Sequence, residues 1–209
     1  MNDPIILIFQ LIVLLFSVII HEISHGYAAY MLGDTTAKDS GRLTLNPLKH
    51  IDPFGSIILP LTLFIIQSPV MFGWAKPVPF DPRNLKNPKR DSGFIGLAGP
   101  ASNYSVAIIF AIILKLAIIL GLSAGGALVI FINIIILVNV VLATFNLVPL
   151  PPLDGSKILF AILPRGTEKF QMLLERYGFF ILLFFIFFGF QLLVPLILSI
   201  YHLLGGNLL

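Results

Sequence analysis

The sequence predicts an all-α polytopic membrane protein with about four transmembrane helices, a re-entrant segment and a small membrane-associated β-hairpin, in one domain over residues 1–209. Three observations predict it. Apolar stretches at Ile5–Met31, Phe94–Leu120, Leu128–Val148 and Phe179–Leu204 each reach the roughly 20 residues a helix needs to cross a bilayer. The composition is 57% hydrophobic and only 11% charged, with a mean hydropathy of +0.99, beyond the range of soluble domains. Twelve of the 13 basic residues lie between the spans, where they orient a membrane protein.

The first span opens on Met1–Pro4, which carries no basic residue, so it is expected to be a retained helix and not a cleaved leader. Phe54–Phe72 is shorter and is broken by Pro60 and Pro69, which makes it a fifth crossing or a segment that dips in and returns. Charge decides between them. Lys38, Arg42 and Lys49 follow the first span; Lys76, Arg83, Lys86, Lys89 and Arg90 precede the second; Lys157, Arg165, Lys169 and Arg176 separate the last two. All three groups share one face only if Phe54–Phe72 does not cross, which gives four spans, both termini outside and an active site opening toward the cytoplasm. Lys115 lies within the second span and is expected to snorkel outward. A net charge of +3 spread over membrane-flanking loops suits anionic headgroups and excludes a nucleic-acid surface. With no cysteine, neither a disulfide framework nor a thiolate metal site nor a cysteine nucleophile is available.

Inside the first span lies HEISH, His21 to His25. Residues four apart share a helix face, so His21 and His25 can grip one ion while Glu22 reaches the water on it. Glu22 is the only acidic residue within any of the long apolar segments. An unpartnered carboxylate in hydrocarbon is costly, and intramembrane ionisable groups are functional by default. A catalytic zinc needs a third protein ligand and one open position. Asp154 is the candidate. It sits in NLVPLPPLDG, Asn146 to Gly155, where Pro149, Pro151 and Pro152 stop the third span and Gly155 permits a bend. The competing reading is a plain proline-rich turn with Asp154 as a helix cap.

HEISH in a first span and NLVPLPPLDG after a later one resemble the site-2 protease family of intramembrane zinc metalloproteases. Stretches similar to GRLTLNPLKHIDPFG (Gly41 to Gly55), GWAKPVPFDPRNLKNPKRD (Gly73 to Asp91) and AGPASN (Ala98 to Asn103) recur in its compact bacterial and archaeal members. The resemblance implies that His21, His25 and Asp154 are ligands of one Zn2+, that Glu22 is the catalytic base and that Asn146 contributes to substrate or transition-state binding. It implies a prokaryotic cell membrane as the location and a transmembrane protein as the substrate. Asn103 is either a second amide donor to the oxyanion or a helix-capping or interhelical hydrogen-bonding residue. Only the short turn Gly121–Gly126 joins the second and third spans, which leaves no room there for the PDZ module of related enzymes.

The implied reaction is metal-assisted peptide hydrolysis, in which Glu22 takes a proton from the attacking water and returns it to the leaving amine. A substrate helix must first unwind, and an exposed strand edge would replace its lost hydrogen bonds. The alternation in Arg42–Leu48, RLTLNPL, together with the resemblance, places such an edge there. His50 reads as a loop or interface residue, His202 as a headgroup-level residue and Trp74 as an interfacial anchor or substrate contact. Two other classes remain: a membrane zinc transporter, which should spread its ligands over several spans, and an inactive scaffold, which should have lost Glu22 or a ligand.

Overall fold

The computed structural model describes residues 4–58, 61–62, 65, 75–123 and 126–206. Four helices in it are long and apolar enough to cross a membrane. The first, α1 (Pro4–Met31), coincides with the first predicted span and is followed by a single helical turn, α2 (Thr36–Asp39). The second long helix, α3 (Pro88–Ile119), begins six residues before the predicted Phe94, because hydropathy does not register a polar first turn. Pro88 stands at its start, and buried Asp91 accepts the Asn87 N–H at 2.9 Å, a capping contact. The third, α4 (Ala127–Asn146), stops where the proline cluster begins, as expected. Asp154 then opens the short helix α5 (Asp154–Ile162).

The last span departs from the predicted Phe179–Leu204. Helix α6 (Glu168–Phe184) starts eleven residues earlier and runs through a π turn, Phe185–Gly189, and a 3-10 turn, Phe190–Leu192. A separate helix, α7 (Val194–Leu203), follows. Pro195 cannot donate to the preceding turn and its ring crowds it, which favours a new helix start there, with Pro195 in the first turn of α7. The crossing helix is therefore Glu168–Leu192.

No strand occurs among the described residues, and the β-hairpin expected at Arg42–Leu48 is not formed. Local side chains capture its backbone groups. The Thr44 hydroxyl accepts Asn46 N–H, Asn46 Oδ1 accepts Leu48 N–H at the start of a 3-10 turn over Pro47–Lys49, and His50 Nε2 donates to Thr44 O. Such short-range bonds compete with a ladder, and Pro47 has no N–H to give one. Of the predicted re-entrant segment, Pro53–Ile58 forms a π turn, and Phe54–Phe72 otherwise lies largely outside the described residues, as does Trp74.

Helix α3 is the centre of the bundle, packing against α1, α4 and α5, while α1 and α4 also meet. Between lipid-soluble helices there is little hydrophobic drive, and close approach depends on small residues and polar contacts. The buried face of α3 accordingly carries Gly93, Gly96, Gly99, Ala107, Ala111 and Ala117. On α1 the buried face runs Val13, Ser17, His21, His25 and Ala29, one residue every four. Large apolar side chains such as Ile5, Leu11 and Phe16 remain exposed on its other side, as a lipid-facing surface requires.

Candidate metal centre

Three side chains from two helices converge where α1 meets the start of α5. Asp154 Oδ2 lies 2.9 Å from His21 Nε2 and 3.0 Å from His25 Nε2. The two imidazoles stand nearly perpendicular, at 87°, with ring centroids 4.7 Å apart. All three residues are at least nine-tenths buried, with exposures of 6, 6 and 5% for His21, His25 and Asp154. The α1 periodicity turns both histidines to α3. The proline segment delivers Asp154 as the first residue of α5, so its carboxylate faces the histidines and does not cap the helix, whose N-cap is Leu153.

The other ring nitrogens fix what this convergence can hold. His25 Nδ1 lies 2.6 Å from the Ile95 carbonyl, which can only accept, so Nδ1 carries the hydrogen. His21 Nδ1 lies 2.6 Å from Asn103 Oδ1. The orientation of that amide is settled by its Nδ2, which donates to the Ser17 carbonyl at 3.1 Å. His21 thus also carries its hydrogen on Nδ1. Two nitrogen lone pairs and a carboxylate oxygen then face one another in a buried space, and a cation between them relieves the repulsion. Ligand atoms about 2.0–2.1 Å from a tetrahedral zinc stand roughly 3.3 Å from each other, within a few tenths of an ångström of the two oxygen–nitrogen separations here. The neighbouring helix leaves the room: a Cβ on Gly99 would lie 2.5 Å from His25 Nε2 and 2.6 Å from His21 Nε2. This nitrogen and oxygen donor set fits zinc.

Asp154 Oδ1 is bound by Lys157 Nζ at 2.9 Å, and the same ammonium lies 5.7 Å from the Phe80 ring centroid. One carboxylate oxygen is thereby committed to the lysine and the other to the histidines. Glu22, half-buried on the next position of α1, accepts the Val78 N–H on Oε2 at 2.8 Å. Val78 belongs to an extended strap. Lys76 N–H donates to His50 O at 2.9 Å, and Arg42 donates to the carbonyls of Lys76 at 2.7 Å and Pro77 at 3.2 Å. His50, expected as a loop or interface residue, is a buried anchor of that strap. Gly26 lets the strap lie on α1, since a Cβ there would meet Leu43 at 2.6 Å and Val78 at 2.8 Å.

The structure therefore brings together His21, His25 and Asp154, with Glu22 one helix position away. Asn103 joins them from behind His21, and both of its amide hydrogens are engaged, one by Ser17 O and one by Asn139 Oδ1 at 2.9 Å. Asn146 donates to Leu142 O in its own helix. Sequence reasoning passed over Ser17, Asn139 and Lys157. The available signals were spacing: Ser17 lies four residues before His21, Lys157 three after Asp154, and Asn139 is a polar residue inside an apolar run.

The comparisons with known proteins give the class of protein that carries this site. Residues 115–185 match the family model described as peptidase family M50. Curated relatives carry the name "Putative zinc metalloprotease", among them the following three. YwhC of Bacillus subtilis is 41% identical over 179 residues, 84% of this chain and 78% of that protein. Rip2 of Mycolicibacterium smegmatis is 28% identical over 179 residues, 80% of this chain and 62% of that protein. MJ0611 of Methanocaldococcus jannaschii is 37% identical over 70 residues, 33% of this chain and 34% of that protein. No solved structure matches the chain significantly.

Proposed function

This chain belongs to peptidase family M50, the site-2 protease family, and we propose that its zinc is held by His21 Nε2, His25 Nε2 and Asp154 Oδ2, with Glu22 as catalytic base. It is an intramembrane zinc metalloprotease, an integral membrane protein whose substrates are membrane proteins. The observation that carries the residue assignment is the convergence of three buried donor atoms while both Nδ1 positions are occupied by acceptors.

When bound, zinc supplies Lewis acidity, which makes a water more acidic and polarises the scissile carbonyl. The protein does the rest. Val78 N–H fixes Glu22 Oε2 and leaves Oε1 to receive the proton from the attacking water. As the new C–O bond forms and the C–N bond breaks, that proton passes from Glu22 to the leaving nitrogen. Lys157 binds Asp154 Oδ1, which leaves Oδ2 as the carboxylate oxygen facing the two histidines and the one that would hold the metal. Burial of the three ligands excludes bulk water and strengthens each interaction. Asn146, the last residue of α4, is the amide that the family resemblance offers as a substrate contact.

The whole of residues 1–209 acts as one catalytic domain in this reading, in a prokaryotic cell membrane with the metal centre opening to the cytoplasm. The flanking basic groups support that orientation, since Lys38, Lys89, Arg165 and Lys169 all border the end of the bundle from which Asp154 emerges. Purified protein and its Glu22→Gln variant, incubated with single-span substrates in detergent, test the assignment. The variant is expected to retain about one zinc and lose cleavage by at least a hundredfold. Equal cleavage by the two proteins removes Glu22 from the mechanism.

A further inference from the structure

A chain of buried polar groups runs away from the metal centre and ends on α4, a helix that supplies none of the three converging atoms. Asn103 sits at its middle, fully buried, with Oδ1 on His21 Nδ1 and Nδ2 on Ser17 O and Asn139 Oδ1. Asn139, also fully buried, donates from Nδ2 to the Ile135 carbonyl and to Ser17 Oγ, each at 2.9 Å. Direction propagates through this chain because its ends are unambiguous. The Ile135 carbonyl accepts only, so Nδ2 of Asn139 must face it and Oδ1 must face Asn103. Asn103 is then required to present Nδ2 to both Asn139 and Ser17, and Oδ1 to His21. Each amide has a single orientation, and His21 a single tautomer.

We propose that Asn139 is a positioning residue for the metal centre, acting through Asn103 to hold His21 with its hydrogen on Nδ1 and its Nε2 lone pair toward the ion. The proposal rests on the reading of His21 as a zinc ligand. A flipped Asn103 would point an N–H at Nδ1 and favour the opposite tautomer, which cannot ligate through Nε2. Ser17 O alone opposes that flip if Asn139 is lost. Partners behind a ligating histidine influence metal affinity about 10–100-fold elsewhere, and a buried amide in a membrane interior has few substitutes for its bonds. His25 differs: its Nδ1 partner is a main-chain carbonyl that no side-chain substitution removes.

The test uses the full-length protein in detergent and measures zinc affinity by competition with a chelator, together with the visible spectrum after cobalt substitution. Asn139→Leu, of similar volume but without the acceptor, is expected to bind zinc about tenfold more weakly and to alter the cobalt bands. Asn139→Asp, protonated toward Ile135 O and still accepting from Asn103, is expected to stay within about threefold of the parent with its cobalt spectrum intact. Asn139→Ser, which introduces no bulk, is expected to follow the leucine variant and replaces it should that chain not fold. A purely structural role would lower the melting temperature of the zinc-free protein and leave the cobalt spectrum of the folded fraction unchanged. Parental affinity and spectrum in Asn139→Leu or Asn139→Ser, alongside loss of zinc in His21→Ala, overturns the proposal. Parental zinc affinity in His21→Ala overturns the ligand assignment instead.

Discussion

The two halves of α3 hold their neighbours by different physics. From Asp91 to Asn103 the contacts around the metal centre are polar or made across glycines, beside one apolar patch in which Ile95 packs with Ala29 and Leu85: Ile95 O receives His25, Asn103 receives His21, and Gly93 and Gly96 admit α5 so closely that a Cβ on Gly93 would sit 2.5 Å from Ala161. From Ala107 to Leu114 the contacts are apolar, with Ala107, Ala111 and Leu114 packed among Val129, Ile132, Ile136 and Val140 of α4 and Ile197 and Tyr201 of α7. The first half fixes orientations to within a hydrogen bond, while the second only fills space. Function is therefore expected to respond to small changes in the first half and stability to larger changes in the second.

Gly99→Ala presses hardest on this division. Its added methyl would occupy the space against both imidazoles, so zinc affinity is expected to fall by at least an order of magnitude with the helices still formed, as read by zinc competition and circular dichroism. Retained affinity would mean that the metal centre adapts as freely as an apolar core. Leu114→Ala is the counterpart: about 2 kcal/mol of stability lost from the cavity, with zinc affinity unchanged, measured by denaturation and competition on the same preparation. A smaller effect is expected for Tyr201→Phe, which removes the hydrogen bond of the Tyr201 hydroxyl to Asn133 Oδ1 at 2.8 Å, the polar clasp of the apolar half. Interhelical bonds of this kind are worth about 0.6 kcal/mol, and cleavage should be unaffected.

A third cluster, beyond the end of α1, sharpens the contrast through pH. Burial pushes the Asp34 carboxyl up, yet the amide of Asn84, the hydroxyl and N–H of Thr36 and the N–H of Asp81 outweigh it and hold the group below the usual carboxylate range. A carboxylate with a depressed folded value stabilises the protein above its unfolded value of about 3.9, and that stability is lost as pH falls through the folded value. Asp34→Asn is expected to flatten the acid limb of the stability profile below about pH 4 and to cost stability at neutral pH, because its amide would oppose the Asp81 N–H. An unchanged acid limb would remove Asp34 as its source.

Much of this was legible in the sequence, unevenly. Helix α1 was placed almost to the residue, because its apolar run ends cleanly at Met31. The start of α6 was missed by eleven residues, because Glu168–Arg176 is amphipathic and its charges mask a helix that is already under way. RLTLNPL alternates like a strand, but alternation carries no information about whether Thr44, Asn46 and His50 will take the backbone groups first. The strap on Glu22 gave no signal at all: a main-chain N–H at Val78 looks the same in sequence wherever it points.

The sequence by itself determined that four helices are apolar enough to cross a membrane, where prolines end α4, and that His21 and His25 share a face, since hydropathy, backbone sterics and the helical repeat act over a few residues. The tertiary structure decided the meeting of Asp154 with histidines more than 120 positions away, and the relay from Asn139 through Asn103. Those depend on which helix faces pack together and how closely. Such choices arise from summed small-residue contacts and buried hydrogen bonds across the whole bundle, with no local pattern to record them.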